Sequence, residues 1–119
     1  MKPLVLVADD EQDILELLAF RLEREGYAVL VARDGERALA LARERHPAVA
    51  VLDVTMPCLD GFEVTRAIRA DELDTRIVLL TARARQEDVR RGIDAGADGY
   101  ITKPFSPAHL GWRLAELLG

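Results

Sequence analysis

The chain has 119 residues, half of them hydrophobic and 31% charged, with a formal net charge of −5. That length suits one domain, expected over 1–119. The acidic balance excludes a typical basic nucleic-acid-binding module, and the lone Cys58 excludes an internal disulfide and a cysteine-based zinc site.

No apolar run approaches the roughly 18 to 20 residues that span a bilayer. Met1-Lys2-Pro3 leads straight into Leu4-Val5-Leu6-Val7, too short for a signal peptide. A soluble cytoplasmic protein is therefore expected, with no membrane contact. Short apolar runs predict buried strands at Leu4 to Ala8, Ala28 to Ala32, Val49 to Leu52, Ile77 to Leu80 and Gly99 to Thr102.

Charged segments with helical spacing lie between and after these runs. The first helix is expected from about Asp13 to Glu25, with Leu15, Leu18 and Leu22 on one face and Gly26 as a left-handed cap. The second follows Asp34 as N-cap, turns Ala38, Leu39 and Ala42 inward, and stops at His46-Pro47. The third carries Val64, Ala67 and Ile68, and the fourth carries Val89 and Ile93 and ends at Gly96. The fifth follows Ser106-Pro107 and buries Leu110, Leu114 and Leu117. Five successive strand-helix units predict an open parallel α/β sheet with helices on both faces.

In such a sheet, ligands bind beyond the carboxyl ends of the strands. The first strand ends in Asp9-Asp10, the third in Asp53 and the fourth in Thr81, and Lys103-Pro104 follows the fifth. Taken one at a time these residues have ordinary readings: Asp9-Asp10 as a helix cap, Thr81 as a strand-end hydroxyl, Lys103 as a solvated cation. Asp53 is different, because a carboxylate after Val49-Ala50-Val51-Leu52 is partly desolvated and needs compensation. Three carboxylates at one edge repel. A divalent ion together with Lys103 balances them, and oxygen-only ligands favour Mg2+ or Mn2+. A loosely held ion of this kind suits phosphoryl groups, which leaves Asp53 as a nucleophile forming an acyl phosphate.

Four segments carry a family resemblance. They are Val7-Ala8-Asp9-Asp10-Glu11, Leu52-Asp53-Val54-Thr55-Met56-Pro57 with Asp60-Gly61, Leu80-Thr81-Ala82, and Ala95 to Phe105. Over nearly its whole length the chain resembles the receiver domain of bacterial two-component response regulators. The resemblance implies a flavodoxin-like (βα)5 sheet in order 2-1-3-4-5. It implies Asp53 as phosphoacceptor from a sensor histidine kinase or phosphotransfer protein. Asp10, Asp53 and the backbone carbonyl of Thr55 become magnesium ligands, with Asp9 acting through water. Thr81 and Lys103 become the switch hydroxyl and the phosphate-binding lysine, Tyr100 the switch aromatic, and Lys103-Pro104 a cis peptide. The implied protein is no enzyme beyond its own phosphorylation and dephosphorylation. It is a switch whose fourth helix, fifth strand and fifth helix address an effector domain or protein. Thr55 and Arg83, two residues after Asp53 and Thr81, fall where such domains control access of the hydrolytic water.

The readout face departs from the usual pattern of paired acids and bases. Val89 stands where a base is expected, and Gly99 and His109 where acids are expected, while Asp98 and Arg113 remain. Val89, Ile93, Asp98 and Trp112 form the candidate partner face. Trp112 lies about 200° around the helix from Leu110 and Leu114, off the core side. It is either a contact anchor or a lid across the fourth helix. A monomer or a weak, phosphorylation-dependent homodimer is expected. His46 and His109 lack partners at metal-ligand spacing, and Cys58 reads as a neutral filler.

Other classes fit less well. A phosphatase with a strand-end aspartate nucleophile carries a second aspartate two residues on, where this chain has Thr55. A flavin carrier needs a hydroxyl- and glycine-rich loop in place of Asp9-Asp10-Glu11, and no G-x-x-x-x-G-K-[ST] loop is present. The remaining alternative is a receiver-like interaction module that works without phosphorylation.

Overall fold

Alternate residues of the apolar runs point to opposite faces of the sheet, and each face has its own core. In the computed structural model, which describes residues 2–82 and 85–119, five parallel strands form one sheet in the order β2-β1-β3-β4-β5. The strands are β1 (Leu4–Ala8), β2 (Ala28–Ala32), β3 (Val49–Asp53), β4 (Arg76–Thr81) and β5 (Gly99–Thr102). The helices are α1 (Gln12–Arg24), α2 (Gly35–Arg45), α3 (Gly61–Ala70), α4 (Gln86–Ala95) and α5 (Pro107–Leu118). The order expected from the resemblance is the order found.

On one face Val5, Val7, Val49, Val51, Val78 and Leu80 pack with Leu15, Leu18 and Leu22 of α1 and Leu110 and Leu114 of α5. On the other, Leu6, Ala8, Ala50, Leu52, Ile77 and Leu79 pack with Ala38 and Leu39 of α2 and Phe62, Val64 and Ile68 of α3. The near-continuous Val/Ile/Leu runs are thus two interleaved sets, as a sheet covered on both sides requires.

Helix ends follow local chemistry except at two N-termini. Asp34 caps α2 by accepting the Arg37 N–H, Ser106 caps α5 by accepting the His109 N–H, and Gly26 and Gly96 take left-handed φ of 99° and 107° after α1 and α4. The N-cap of α1 is Glu11 with no side-chain cap bond, so Asp9-Asp10 do not cap it, and Arg85 at the start of α4 makes none either. His46 closes α2 in the left-handed region at φ 48°.

The β3–α3 connection is held tightly. A Cβ on Gly35 would fall 2.0 Å from the Leu59 carbonyl oxygen, and one on Gly61 would fall 2.7 Å from the Asp53 carbonyl oxygen. Glycine is required at both positions because backbone approaches backbone there.

Candidate functional site

β1 pairs with β2 on one side and β3 on the other, so chain direction across the sheet reverses between β1 and β3. The carboxyl ends of these two strands deliver Asp9 and Asp53 to that reversal point. Asp9 is fully buried and Asp53 is 6% exposed, whereas Asp10 faces outward. The carboxylates of Asp9, Asp10 and Asp53 come within 4.8 Å of one another. Thr81 ends β4, the strand beside β3, and is also buried.

Lys103 reaches this cluster from beyond β5. Its Nζ lies 2.9 Å from Asp9 Oδ2 and 3.3 Å from Asp53 Oδ2. The Lys103-Pro104 peptide is cis. Backbone amides take the other carboxylate oxygens: Glu11 N–H donates to Asp9 Oδ1 at 3.0 Å, and Thr55 N–H donates to Asp53 Oδ1 at 3.4 Å. Every carboxylate buried here therefore has a donor, as burial of charge demands.

Two opposing effects set the protonation of Asp53. Burial pushes its carboxyl up, the Asp9 carboxylate pushes it further, and Lys103 and the Thr55 amide pull it back, leaving it at about 6. Burial by itself would lower the Lys103 ammonium. The hydrogen bond to Asp9 and the charges of Asp53 and Asp9 outweigh that and hold it above its usual value. Lys103 stays charged at neutral pH and, among the described residues, is the cation in contact with both acids.

The donor set is all oxygen, gathered at one edge around a surplus of negative charge. It fits a hard divalent ion such as Mg2+ and lacks the nitrogen and sulfur ligands that zinc or copper favour. Beside the site opens a cavity of about 310 Å³ lined by Val54, Thr55, Met56, Asp60 and Phe62 on one side and Thr81, Ala82, Asp88 and Arg91 on the other.

The structure distributes the remaining residues unevenly. Tyr100 is half-buried on β5, with its ring edge against Gly92 of α4. Ile93 and Trp112 are 65% and 60% exposed, and Val89 is half-exposed. Trp112 tilts toward His109 on its own helix, 6.2 Å between ring centroids. Asp98 is half-buried and lines a cavity with Val89 and Ile93, while its Oδ2 accepts from Arg69 at 2.9 Å and from the Ile77 N–H at 2.8 Å. Cys58 is exposed at φ 73°, and desolvation together with Glu36 and Asp34 pushes its thiol up, away from reactivity. Arg83 lies outside the described residues. Arg91 drew no attention in the sequence, because one arginine of an Arg90-Arg91 pair on a charged helix carries no motif.

The family model for the response regulator receiver domain matches residues 5–115. The alkaline phosphatase synthesis transcriptional regulatory protein PhoP of Bacillus subtilis is 45% identical over 118 residues, covering 99% of this chain and 49% of that protein. The chain thus spans about half the length of the curated relatives it matches. The receiver domain of the Francisella response regulator 1452 superposes with a TM-score of 0.93 at 36% identity, covering 98% of this chain and 96% of that one. The chemotaxis protein CheY4 of Vibrio cholerae gives 0.93 at 34% identity, covering 98% and 99%. Motifs, fold and site geometry agree with these matches, and the chain belongs to the receiver domain family of two-component response regulators.

Proposed function

We propose that residues 1–119 form one receiver domain that accepts a phosphoryl group on Asp53 and thereby changes the surface of α4, β5 and α5. The observation that carries this reading is the placement of Asp53. It is buried at the end of the central strand, in contact with Lys103, within reach of two further carboxylates, and one strand from Thr81.

Asp10, Asp53 and the Thr55 carbonyl, with Asp9 through water, would hold a Mg2+ or Mn2+ ion, which would neutralise charge on the phosphoryl oxygens. The chain does the rest by positioning and electrostatics. An Asp53 carboxylate oxygen attacks phosphorus. The bond between phosphorus and the donor breaks, and the donor leaves with that bonding pair. Lys103 has only to turn from the Asp53 carboxylate to a phosphoryl oxygen, and the Thr81 hydroxyl donates to a second. The reaction ends when water cleaves the acyl phosphate and restores Asp53. Catalysis is confined to this group on the chain itself, with no turnover of an external ester.

The donor partner is a sensor histidine kinase or phosphotransfer protein, and the output partner an effector domain or protein, all in the cytoplasm. Nucleic acid is not bound by this domain directly. Val89, Ile93 and Trp112 expose apolar surface where the output partner, or a weakly held second copy formed on phosphorylation, would sit.

Intact mass after incubation with Mg2+ and a small acyl-phosphate donor tests the reading. One acid-stable, base-labile phosphoryl group is expected on the wild type, absent from Asp53→Asn and lost with chelator. No adduct, with Mg2+ still bound, would leave an interaction module that works without phosphorylation.

A further inference from the structure

Helix α4 forms the far wall of the cavity beside Asp53, and little apolar surface holds it there. Its buried residues are Gly92 and Ala95, and its N-cap Arg85 makes no side-chain cap bond. Along its length the helix is instead tied to α3 by a long side chain. The Arg91 guanidinium carbon lies 4.4 Å from the centroid of the Phe62 ring, and Arg91 Nη2 lies 4.0 Å from Asp60 Oδ2.

Both anchors are rigid. Phe62 is 2% exposed, set in the core under α3. Asp60 is the N-cap of α3, with Oδ1 accepting the Glu63 N–H at 2.8 Å, so Oδ2 is free to face Arg91. A planar guanidinium suits a fixed ring and a fixed carboxylate together, where a lysine would satisfy only the charge. The anchors also communicate with the acceptor. Gly61, next to Asp60, donates its N–H to the Val54 carbonyl and packs on the Asp53 carbonyl oxygen.

We propose that Arg91 is a strap that holds α4 in its resting position, and that a phosphoryl group on Asp53 loosens it. This rests on the reading of Asp53 as phosphoacceptor. Val54 and Thr55, the residues after Asp53, line the same cavity as Arg91. New negative charge at that edge competes with Asp60 for the guanidinium. A state with the strap released is thereby favoured, and the shift is set by the difference in interaction between the two states. By the same linkage, weakening the strap makes phosphorylation easier.

Amide hydrogen exchange and phosphorylation rate, measured on wild type, Arg91→Gln and Asp60→Asn, test the strap. Asparagine still caps α3, so Asp60→Asn removes only the charge. In Arg91→Gln without donor, amides of residues 86–95 exchange about fivefold faster while those of β1 and β3 are unchanged. The initial rate of Asp53 phosphorylation by the acyl-phosphate donor rises about two- to fivefold in Asp60→Asn, which frees the guanidinium for the phosphoryl group, and rises less in Arg91→Gln, which removes the guanidinium together with the strap. Unchanged exchange in α4 overturns the strap. Faster exchange with an unchanged phosphorylation rate in Asp60→Asn leaves a structural tie and overturns its regulatory role. A wild type that takes no phosphoryl group overturns the acceptor reading and the regulatory role together, and the exchange comparison still decides whether the tie exists.

Discussion

Helices α3 and α4 have ten residues each and lie side by side, yet they are attached in opposite ways. α3 begins with a reciprocal capping box between Asp60 and Glu63, and it buries Phe62, Val64, Thr65 and Ile68. The Thr65 hydroxyl is satisfied inside the helix by the Gly61 carbonyl at 2.7 Å. α4 lacks a side-chain cap, buries only Gly92 and Ala95, and leaves Ile93 65% exposed. Free energies of local opening follow buried apolar contact. The helix that follows Asp53 is therefore part of the core, and the helix that follows Thr81 rests against it.

The largest expected effect would break this contrast if absent. Ile68→Ala removes a fully buried side chain and should cost about 3–4 kcal/mol, whereas Ile93→Ala should cost no more than about 0.5 kcal/mol. Urea denaturation of the two variants measures the gap, and near-equal losses would mean α4 is as deeply built in as α3.

Next comes the charge at the head of the α3 loop. The Asp53 carboxyl is held at about 6, above its unfolded value, so the folded chain binds the extra proton between about pH 4 and 6. The sign follows: stability from this group is present below pH 4 and is lost as pH rises through 6. With chelator present, Asp53→Asn should stabilise the chain by about 2 kcal/mol at pH 7.5, allowing for solvent screening, and by much less at pH 4. Thermal melts at the two pH values check this. Added Mg2+ should raise the wild-type melting temperature at pH 7.5 and raise that of the variant much less.

The smallest effect sharpens the contrast from the other side. Arg85, the N-cap of α4, makes no cap hydrogen bond. Arg85→Asp should supply one and stabilise α4 by about 1 kcal/mol, read as slower amide exchange in residues 86–95 with α3 unchanged.

What the sequence discloses depends on how far apart the interacting residues lie. Strand runs and helix caps are local, and Leu4–Ala8, Ala28–Ala32, Gly99–Thr102, Asp34 and Ser106 fall where periodicity and capping chemistry place them. Lys103 and Asp9 are 94 residues apart, and their meeting was legible only because strand ends share one edge of a parallel sheet. The Asp98–Arg69 pair, 29 residues apart, has no such rule behind it. Asp98 lines a cavity with Val89 and Ile93 on the candidate partner face, but its tie to Arg69 was not legible. The tie of Arg91 to Phe62 and Asp60 was invisible for the same reason. Capping α1 with Asp9-Asp10 failed because the acidic cluster and Lys103 engage Asp9, and the Glu11 amide that would begin the helix turns to Asp9 Oδ1.

Arg69 is also what gives α4 a direction. Its guanidinium donates to the carbonyls of Leu73, Thr75 and Gly96 and to Asp98, fixing the turn after α4 to the far end of α3. The helix is thus fastened at its carboxyl end, like a gate on its post. Ten residues make an arm of about 15 Å, so a tilt of roughly 10° about Gly96 carries the opposite end about 2.6 Å while the post stays still. On such a pivot the longest lever over the surface belongs to the Gln86 end of the helix, farthest from Arg69.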